Sequence, residues 1–428
     1  MKDENMPVGE SAHFEEIIRV PWGIRRGIPE VLVSTPQISL LTHKVPRQMR
    51  APVRIHVAPW GSVNVLTTDP VYETWALFCR FSQKGELISY VELSPPVINS
   101  SGWLISDFLT DETGNIYLIE TIQDTTGEHN YLRKLTSKGE PVWVRSGPVS
   151  TTSLDLTEFE GTFQQLFVDQ KSNLYIPATQ HSGLVARIDP LNGTLEPYAD
   201  WGEWSGEVYM DGKGKIYYVR YLPESGKRCW VSYDPYMQKE NVVPCDEGLY
   251  SFLAGPIGVD TEGRGYAAMG MQIACIDKGG SLLWQEHIDN IVVDERKGTI
   301  YTSTFTVSDS TAEIHVQEWA DSNGLKRETK LAVPPHVFVG HEGVWRLMHM
   351  DLEGRYYVYG GETPREEGMQ VVYSALGVPE GETVPTPDIH LREYRLQAAR
   401  TWSVDLEGNV YLPLLGPTNF HIIKLSHL

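Results

Sequence analysis

The stretch Asp111–Tyr117, which reads Asp-Glu-Thr-Gly-Asn-Ile-Tyr, defines a pattern that recurs along the chain. An aspartate at the head of a tight turn accepts hydrogen bonds from backbone N–H groups two residues later, and glycine supplies a positive φ. A strand rich in β-branched or aromatic residues then leaves the turn. Each copy of the pattern therefore predicts a β-hairpin.

Seven copies are recognisable, and the segment Pro59–Val65 is an eighth, degenerate candidate. The seven are Asp111–Tyr117, Asp169–Tyr175, Asp211–Tyr217, Asp260–Tyr266, Asp294–Tyr301, Asp351–Tyr357 and Asp405–Tyr411. From the first aspartate to the last, the mean spacing is 49 residues. That period is typical of a four-stranded propeller blade with its loops.

A second type of hairpin turn follows most copies of the first and usually contains glycine. Its examples include Phe81–Leu87, Leu135–Trp143, Ile188–Leu195 and Ile276–Trp284. Because the two turn types alternate along the chain, each repeat contains two hairpins. Each repeat is therefore predicted to form one four-stranded antiparallel sheet.

These repeats predict an all-β chain that folds as an eight-bladed β-propeller over residues 52–428, with seven blades as the alternative. The last repeat lacks a fourth strand, and Phe14–Val20 in the N-terminal segment 1–51 alternates well enough to supply it. We expect this strand to close the ring, which leaves no open sheet edge there. Residues 360–391 are predicted to be a loop insertion in the seventh repeat. A division into two smaller β domains would need a linker, and the irregular stretch Gly360–Pro387 falls inside a repeat.

The formal net charge of −20 disfavours binding to nucleic acids or to an anionic membrane surface. The segment Met1–Glu16 lacks the basic start and apolar run of a signal peptide, and no stretch approaches the roughly 20 apolar residues of a membrane span. We therefore expect a soluble chain without a membrane span, cytoplasmic by default. The same sequence is compatible with export if a signal peptide has been removed.

The four cysteines have no CxxC spacing, so a zinc site built from cysteines is not expected. Cys229 and Cys245 flank the turn Asp234–Lys239, and the residue midway between them, Met237, lies inside this turn, so a regular hairpin would place the two cysteines opposite each other. A disulfide and two thiols both remain open at this point. A disulfide would indicate export.

The repeats resemble those of the NHL, virginiamycin-lyase-like and PQQ-like propellers. The copies Asp111–Tyr117 and Asp405–Tyr411 resemble the first kind, and the turns that end at Trp143 and Trp284 resemble the tryptophan-docking motif of the third. The resemblance implies the propeller fold, whereas these motifs carry little about function. Similarity to the lyases would imply a histidine and a metal on the loop face, but no local motif assigns residues to them. The chain has no adjacent Cys-Cys pair, so quinone binding is not expected.

In a propeller the two turns of each blade lie on one face, and the longer connections lie on the other. Here the turns are short and uniform while the other loops are long and irregular, so we expect any site on the long-loop face around the central channel. The candidate ligand-binding residues there are Glu120, His181, Trp201, Trp204, Arg220 and Glu362. The two tryptophans could stack on a sugar or clasp a peptide, or they could cover the gap between blades.

Catalytic sequence motifs are absent: the sequence contains no GxSxG, P-loop or GxGxxG, and Trp345 stands where the second histidine of HExxH would be. We therefore predict a non-enzymatic binding scaffold for a protein, a peptide or a glycan, with no cofactor and no metal. The alternative is a lyase or hydrolase with a polar site at the channel mouth, with or without a bound metal ion.

Overall fold

A computed structural model of the chain describes residues 13–21, 54–68, 76–97, 102–125, 127–146, 165–178, 184–201, 208–222, 227–244, 256–269, 272–287, 291–294, 299–308, 311–320, 324–333, 344–350, 356–361, 372–376, 383–385, 402–415 and 419–427. Over these residues the secondary structure is all-β, and no helix is found in them. The described strands form eight four-stranded sheets.

The first four sheets follow one another along the chain. Sheet 1 contains β2 (Arg54–Val57), β3 (Val63–Thr68), β4 (Ala76–Phe81) and β5 (Leu87–Leu93). Sheet 2 contains β6 (Gly102–Thr110), β7 (Ile116–Asp124), β8 (Gly127–Leu135) and β9 (Pro141–Ser146). Sheet 3 contains β10 (Phe167–Val168), β11 (Leu174–Ala178), β12 (Leu184–Ile188) and β13 (Leu195–Asp200). Sheet 4 contains β14 (Val208–Met210), β15 (Ile216–Leu222), β16 (Lys227–Asp234) and β17 (Lys239–Pro244).

The other four sheets include the one that joins the two ends of the described chain. Sheet 5 contains β18 (Pro256–Val259), β19 (Gly265–Met269), β20 (Gln272–Ile276) and β21 (Leu282–His287). Sheet 6 contains β22 (Val292–Asp294), β23 (Thr299–Ser308), β24 (Thr311–Ala320) and β25 (Gly324–Val333). Sheet 7 contains β26 (Val344–Met350), β27 (Tyr356–Gly361), β28 (Val372–Leu376) and β29 (Thr383–Pro385). Sheet 8 contains β30 (Ser403–Val404), β31 (Val410–Leu415), β32 (Asn419–Ser426) and β1 (His13–Pro21).

Within each sheet, strands that are consecutive in sequence pair antiparallel, and sheet 8 alone departs from this order. There β1 pairs with β32, with Phe14 opposite Leu425 and Val20 opposite Phe420. Phe14 is buried against Trp319 of sheet 6 at a ring-centroid distance of 5.3 Å. The predicted closure by the N-terminal strand is therefore confirmed.

The Asp-led turns have the geometry that the sequence predicts. Asp111 Oδ1 accepts a hydrogen bond from the Asn115 N–H at 3.0 Å, and its Oδ2 accepts one from the Tyr117 hydroxyl at 3.2 Å. Gly114 adopts φ of 85°, which a β-carbon would disfavour. The aspartate-to-tyrosine bond recurs at Asp169, Asp211, Asp260 and Asp405. The corresponding turns after Asp294 and Asp351 lie outside the described residues.

The second turn of a sheet packs against the outer strand of the sheet before it. In sheet 3, Gly193 lies under Trp143 of β9, and a β-carbon at this glycine would come within 2.8 Å of the indole. The Trp143 Nε1–H also donates a hydrogen bond to the Pro190 carbonyl at 3.1 Å. Trp143 therefore connects sheets 2 and 3 through both packing and a hydrogen bond.

Equivalent joints connect six of the sheets into a closed ring. The contacting pairs are Gly85 with Ile17, Gly139 with Val91, Gly193 with Trp143, Tyr236 with Tyr198, Gly280 with Val243, and His427 with Trp284. In the same order, these pairs join sheet 8 to sheet 1, sheet 1 to sheet 2, sheet 2 to sheet 3, sheet 3 to sheet 4, sheet 4 to sheet 5, and sheet 5 to sheet 8. The last joint has no glycine turn, because β1 supplies the fourth strand of sheet 8.

Sheets 6 and 7 lie beside this ring. Strand β22 contacts β26, and β23 contacts the closing strand β1, while sheet 5 packs directly on sheet 8 through β18 and β30. The fold is a β-propeller, but the predicted count of eight blades in one ring is not confirmed: among the described strands, six sheets are joined in a circle. The division at residue 51 and the insertion at 360–391 stay predictions, and two short strands, β28 and β29, lie within the latter.

We predict that Gly258→Ala in β18 destabilises the chain by about 1–3 kcal/mol, because the added β-carbon would lie 2.4 Å from Val404 of sheet 8 and overpack the joint. The matched control is Gly279→Ala, where the nearest atom is Asp277 Oδ1 of the same turn at 3.2 Å. Urea unfolding measures both changes. Equal, small effects would contradict direct packing of sheet 5 on sheet 8.

Candidate functional site

The first strands of the six joined sheets surround a cavity of about 110 Å³. Its wall is contributed by β2, β6, β10, β14, β18 and β30 together with their flanking residues. At one end the wall includes Ala58, Pro59, Gly212 and Leu406, which belong to the Asp-led type of turn or flank it. The cavity therefore follows the ring axis and reaches the face that carries these turns.

The Asp-led turns give a common reference point on each first strand. Residues the same number of positions before the turn therefore lie at the same level along the cavity. The Ala58 N–H bonds to the Ser62 carbonyl as the Asp111 N–H bonds to the Asn115 carbonyl, so Ala58 takes the place of the turn aspartate in sheet 1. Four residues before the turn position stand Arg54 on β2, Asp107 on β6 and Gln165 just before β10. Two residues before the turn position stand His56, Phe167, Tyr209 and Ser403. With Leu109 and Gly258 at the same level on β6 and β18, a layer that contains charged and polar residues thus lies about 6–7 Å from a layer of mixed composition with three aromatic side chains.

Asp107 connects three sheets at the level of the polar layer. Its Oδ2 accepts a hydrogen bond from the Leu166 N–H of sheet 3 at 2.6 Å. Its Oδ1 lies 3.9 Å from Arg54 Nη1 of sheet 1, and both side chains are mostly buried. Asp107 therefore ties sheet 2 to both of its neighbours in the ring.

His56 is surrounded by protein, although part of its ring faces the cavity. Burial lowers the pKa of His56 to about 4, so the imidazole is neutral at pH 7. Its edge meets Phe108 at a centroid distance of 6.4 Å. His56 Nδ1 and Trp402 Nε1 are buried and have no hydrogen-bond partner among the described residues. Since both side chains line the cavity, its wall contains hydrogen-bonding atoms that the described residues leave unused.

Glu120, which the sequence analysis placed on the long-loop face around the channel, is not among the residues that line the cavity. Its side chain is fully buried in β7, and Oε1 accepts hydrogen bonds from Trp103 Nε1 at 2.9 Å and Arg133 Nη2 at 2.6 Å. Arg133 also donates to the Ser94 carbonyl at 2.9 Å, which ties sheet 2 to the end of sheet 1. Partners distant in sequence thus satisfy the polarity of Glu120, and its predicted role in ligand binding stays a prediction.

Trp201 and Arg220 come together between sheets 3 and 4. Trp201 stacks on Tyr218 with a centroid distance of 5.1 Å and an interplanar angle of 10°. Arg220 contacts both carboxylate oxygens of Glu240, at 3.0 and 3.1 Å, and the Tyr218 hydroxyl donates to the same carboxylate. This placement supports the interpretation that Trp201 covers the gap between blades.

His181, Trp204 and Glu362 lie outside the described residues, so their roles stay predictions. In sequence, His181 falls between β11 and β12, and Trp204 falls between β13 and β14. Ala178 pairs with Leu184, and Leu184 pairs with Asp200, so the described ends of β11, β12 and β13 lie side by side. The prediction that the long-loop face carries the site remains untested.

Cys229 is buried in β16, and its register partner on β17 is Pro244. Cys245 lies outside the described residues, so the disulfide stays a prediction. Among the residues that the structure describes, no group of three or more His, Cys, Asp or Glu side chains could hold a metal ion. The described part of the chain also contains no helix that is long and apolar enough to cross a membrane.

Sequence reasoning missed the polar layer of Arg54, Asp107 and Gln165. The sequence does contain a signal for this layer. When the repeats are aligned on their turns, these three residues fall at the same position of the alignment. The side chains at this position differ in type, so a search for a recurring residue does not find them.

No protein-family model matches the chain, and no curated protein matches its sequence. The solved structures that match include a catalytically inactive virginiamycin B lyase from Staphylococcus aureus with quinupristin. The match covers 90% of this chain and 97% of the lyase chain, with 9% identity and a TM-score of 0.33. A similarity at this level carries no argument about the site, and the propeller assignment rests on the strand pairing described above.

We predict that Glu120 makes the stability of the protein depend on pH. Burial raises the pKa of Glu120 to about 7, although Arg133 and Trp103 partly offset this effect. The folded chain therefore holds the proton more tightly than the unfolded chain, whose carboxyl has the ordinary pKa of 4.5. The resulting stabilisation is complete below pH 4.5 and is lost as the pH rises through about 7.

Glu120→Gln should remove this loss, which we expect to be on the order of 1–3 kcal/mol. The measurement is the free energy of unfolding in urea between pH 4.5 and 8 for the wild type and the variant. Glu196→Gln, on an exposed position of β13, is the matched control. Parallel curves for the wild type and Glu120→Gln would contradict the prediction.

Proposed function

We propose that this chain is a binding propeller that recognises one group of its partner at the central channel. The observation that carries the proposal is the convergence of six strands on one cavity, whose wall includes Asp107 and Gln165 beside aromatic residues. Binding sites in proteins are typically concave and largely preformed, with a few convergent polar groups. The closed ring holds these groups in place before a partner arrives, which reduces the entropy that binding costs.

Contacts of the remaining polar groups favour binding over catalysis. Glu120 is held by Trp103 and Arg133, and Arg220 is held by Glu240. The turn aspartates accept hydrogen bonds from their own turns, as Asp111 does. These side chains therefore serve mainly to stabilise individual blades and turns, and the groups of the cavity wall are better placed to meet a partner.

The size of the cavity limits what can enter it. A volume of about 110 Å³ corresponds to the space of about four water molecules in the liquid. A single side chain or part of a sugar ring fits this space, while the rest of a protein, peptide or glycan partner would lie on the propeller face. His181, Trp204 and Glu362 are our proposed contacts on the long-loop face, and Trp201 and Arg220 border it.

A ligand screen tests the proposal. A library of peptides, glycans and small metabolites would be measured by thermal shift against the wild type and Gln165→Phe, which narrows the cavity. We expect a ligand whose binding weakens by at least about tenfold in this variant, equivalent to 1.4 kcal/mol. Leu191→Phe is the control, because Leu191 is 83% exposed on an outer turn of the same sheet. Equal binding by both variants would contradict a site in the channel.

One observation favours the alternative of a hydrolase. On sheet 6, Thr306 Oγ1 lies 3.2 Å from His315 Nε2, and His315 Nδ1 lies 2.9 Å from Glu328 Oε1. This order of hydroxyl, imidazole and carboxylate is the arrangement that activates a nucleophile. Thr306 and Glu328 are exposed on a strand face, and none of the three lines the cavity, so we place binding first.

Thr306→Val tests this alternative, because it removes the hydroxyl and keeps the shape of the side chain. If the three residues are catalytic, hydrolysis of an activated ester should fall by about 100-fold in Thr306→Val, since the nucleophile is lost. Thr306→Ser keeps a hydroxyl and should retain activity. Initial rates for the three proteins decide the matter, and equal rates would eliminate sheet 6 as a hydrolytic site.

A further inference from the structure

The six turns around the end of the cavity carry one residue each at an equivalent position. In every turn the N–H of the first residue bonds to the carbonyl of the fifth, and the N–H of the fourth bonds to the carbonyl of the first. The third residue therefore stands at the same place in all six turns. Around the ring, in the order of sheets 1, 2, 3, 4, 5 and 8, this residue is Trp60, Thr113, Lys171, Lys213, Glu262 and Glu407.

Charges of the same sign lie side by side in this series. A backbone hydrogen bond of 2.9 Å from the Gln170 N–H to the Gly212 carbonyl joins the turns that carry the two lysines. An equivalent bond of 2.9 Å joins the turns that carry the two glutamates. Because like charges at neighbouring positions repel each other, the isolated ring gains no stability from this order. A partner with the opposite charges would relieve both repulsions.

Contacts within the chain leave the two glutamates exposed to solvent. Glu262 lies 3.6 Å from Arg264, but Arg264 is held more closely by Asp260, at 2.6 Å, and the Glu262 side chain is 69% exposed. Glu407 accepts a hydrogen bond from Asn409 Nδ2 at 3.3 Å and is exposed as well. The two lysines are also exposed. All four charges are therefore accessible on the face that carries the turns.

We propose that this turn face binds a second copy of the chain in a two-fold symmetric dimer. The axis lies in the plane of the face and passes between sheets 4 and 5 on one side and between sheets 1 and 2 on the other. Lys213 then faces the partner's Glu262, and Lys171 faces the partner's Glu407. Because a two-fold contact repeats each pair, the interface contains four pairs of opposite charge. The two uncharged positions also face each other.

No other two-fold arrangement of the six turns pairs all four charges in this way. An axis between sheets 3 and 4 would place Lys171 against the partner's Lys213, and an axis between sheets 2 and 3 would place Glu262 against the partner's Glu407. An axis through a sheet would place at least one charged residue against its own copy. Since like charges that face each other disfavour an interface, the order of residues around the ring selects one arrangement.

The rest of the turn face is compatible with this contact. Pro59 and Leu406 line the end of the cavity and are partly exposed, so they add apolar surface near the centre of the interface. In the outer turns of sheets 1 and 2, Lys84 and Lys138 each precede a glutamate by two residues, so neither turn brings a net charge to the contact. The inference goes beyond the proposed function, because the long-loop face stays free for a partner.

The charge of the whole chain determines the conditions under which the dimer should form. The net charge of −20 makes two copies repel each other at long range. At physiological ionic strength this repulsion is screened beyond about 8 Å, so the pairs in contact decide the outcome. The dimer is therefore measured at physiological salt.

Charge reversal on the full chain tests the inference. Lys171→Glu with Lys213→Glu places glutamate opposite glutamate, and Glu262→Lys with Glu407→Lys places lysine opposite lysine. The equivalent turns already contain both residue types at this position, so both double variants should fold as the wild type does, which thermal melting checks. Sedimentation equilibrium gives the dissociation constant of the dimer, and we expect it to rise at least about tenfold in each double variant.

A mixture of the two double variants separates a lost contact from a damaged fold. Each glutamate of the first variant then faces a lysine of the second, so the equimolar mixture should form heterodimers as stable as the wild-type dimer. The matched control is Arg327→Glu with Lys330→Glu, on exposed positions of β25, which changes the net charge as the first variant does. This control should dimerise as the wild type does.

Four results would each overturn the inference. The wild type could remain monomeric at every concentration, or the double variants could dimerise as the wild type does. The mixture could fail to recover the dimer that each double variant has lost. The control on β25 could weaken the dimer as much as the reversal on the turns, in which case net charge and not the turn face determines association.

Discussion

Close contact between the turn of one sheet and the outer strand of its neighbour is the constraint on which the structure depends. A four-stranded sheet cannot bury both faces by itself, so each must pack against the next. Trp143 shows how tight the contact is, since its indole leaves no room for a β-carbon at Gly193 and its N–H bonds to the Pro190 carbonyl. Equivalent contacts repeat around the ring, and the cavity at its centre exists because they close a circle.

Much of the fold could be predicted from the sequence, because the information that specifies a hairpin is local. The aspartate, glycine and tyrosine of Asp111–Tyr117 determine a turn without help from distant residues. The pairing of β1 with β32 was predictable because the last repeat lacked a strand. Which sheet packs on which is a different kind of information. The stack of Trp284 on His427 joins sheets 5 and 8 directly. No repeat pattern in the sequence indicates that sheets 6 and 7 lie outside this ring.

The candidate site was predicted less well for the same reason. Glu120 is polar and follows a turn at the expected distance, yet Trp103 and Arg133 enclose it. Trp201 was predicted with two alternatives, and its stacking on Tyr218 favours the structural one. Nothing in the sequence around Asp107 indicates that it belongs to a site. Its position becomes informative only when Arg54 and Leu166 are seen to come from neighbouring sheets.

The pairing of β1 with β32 has a consequence for how the chain is made. A ribosome releases β1 before any other described strand, but the residue opposite Phe14 in the sheet is Leu425, which emerges after all the other sheets. During translation β1 must therefore remain without its native partner while each successive sheet folds against the one before it. The charged residues of this strand, among them Glu15, Glu16 and Arg19, keep the unpaired strand hydrated and discourage its association with other nascent chains.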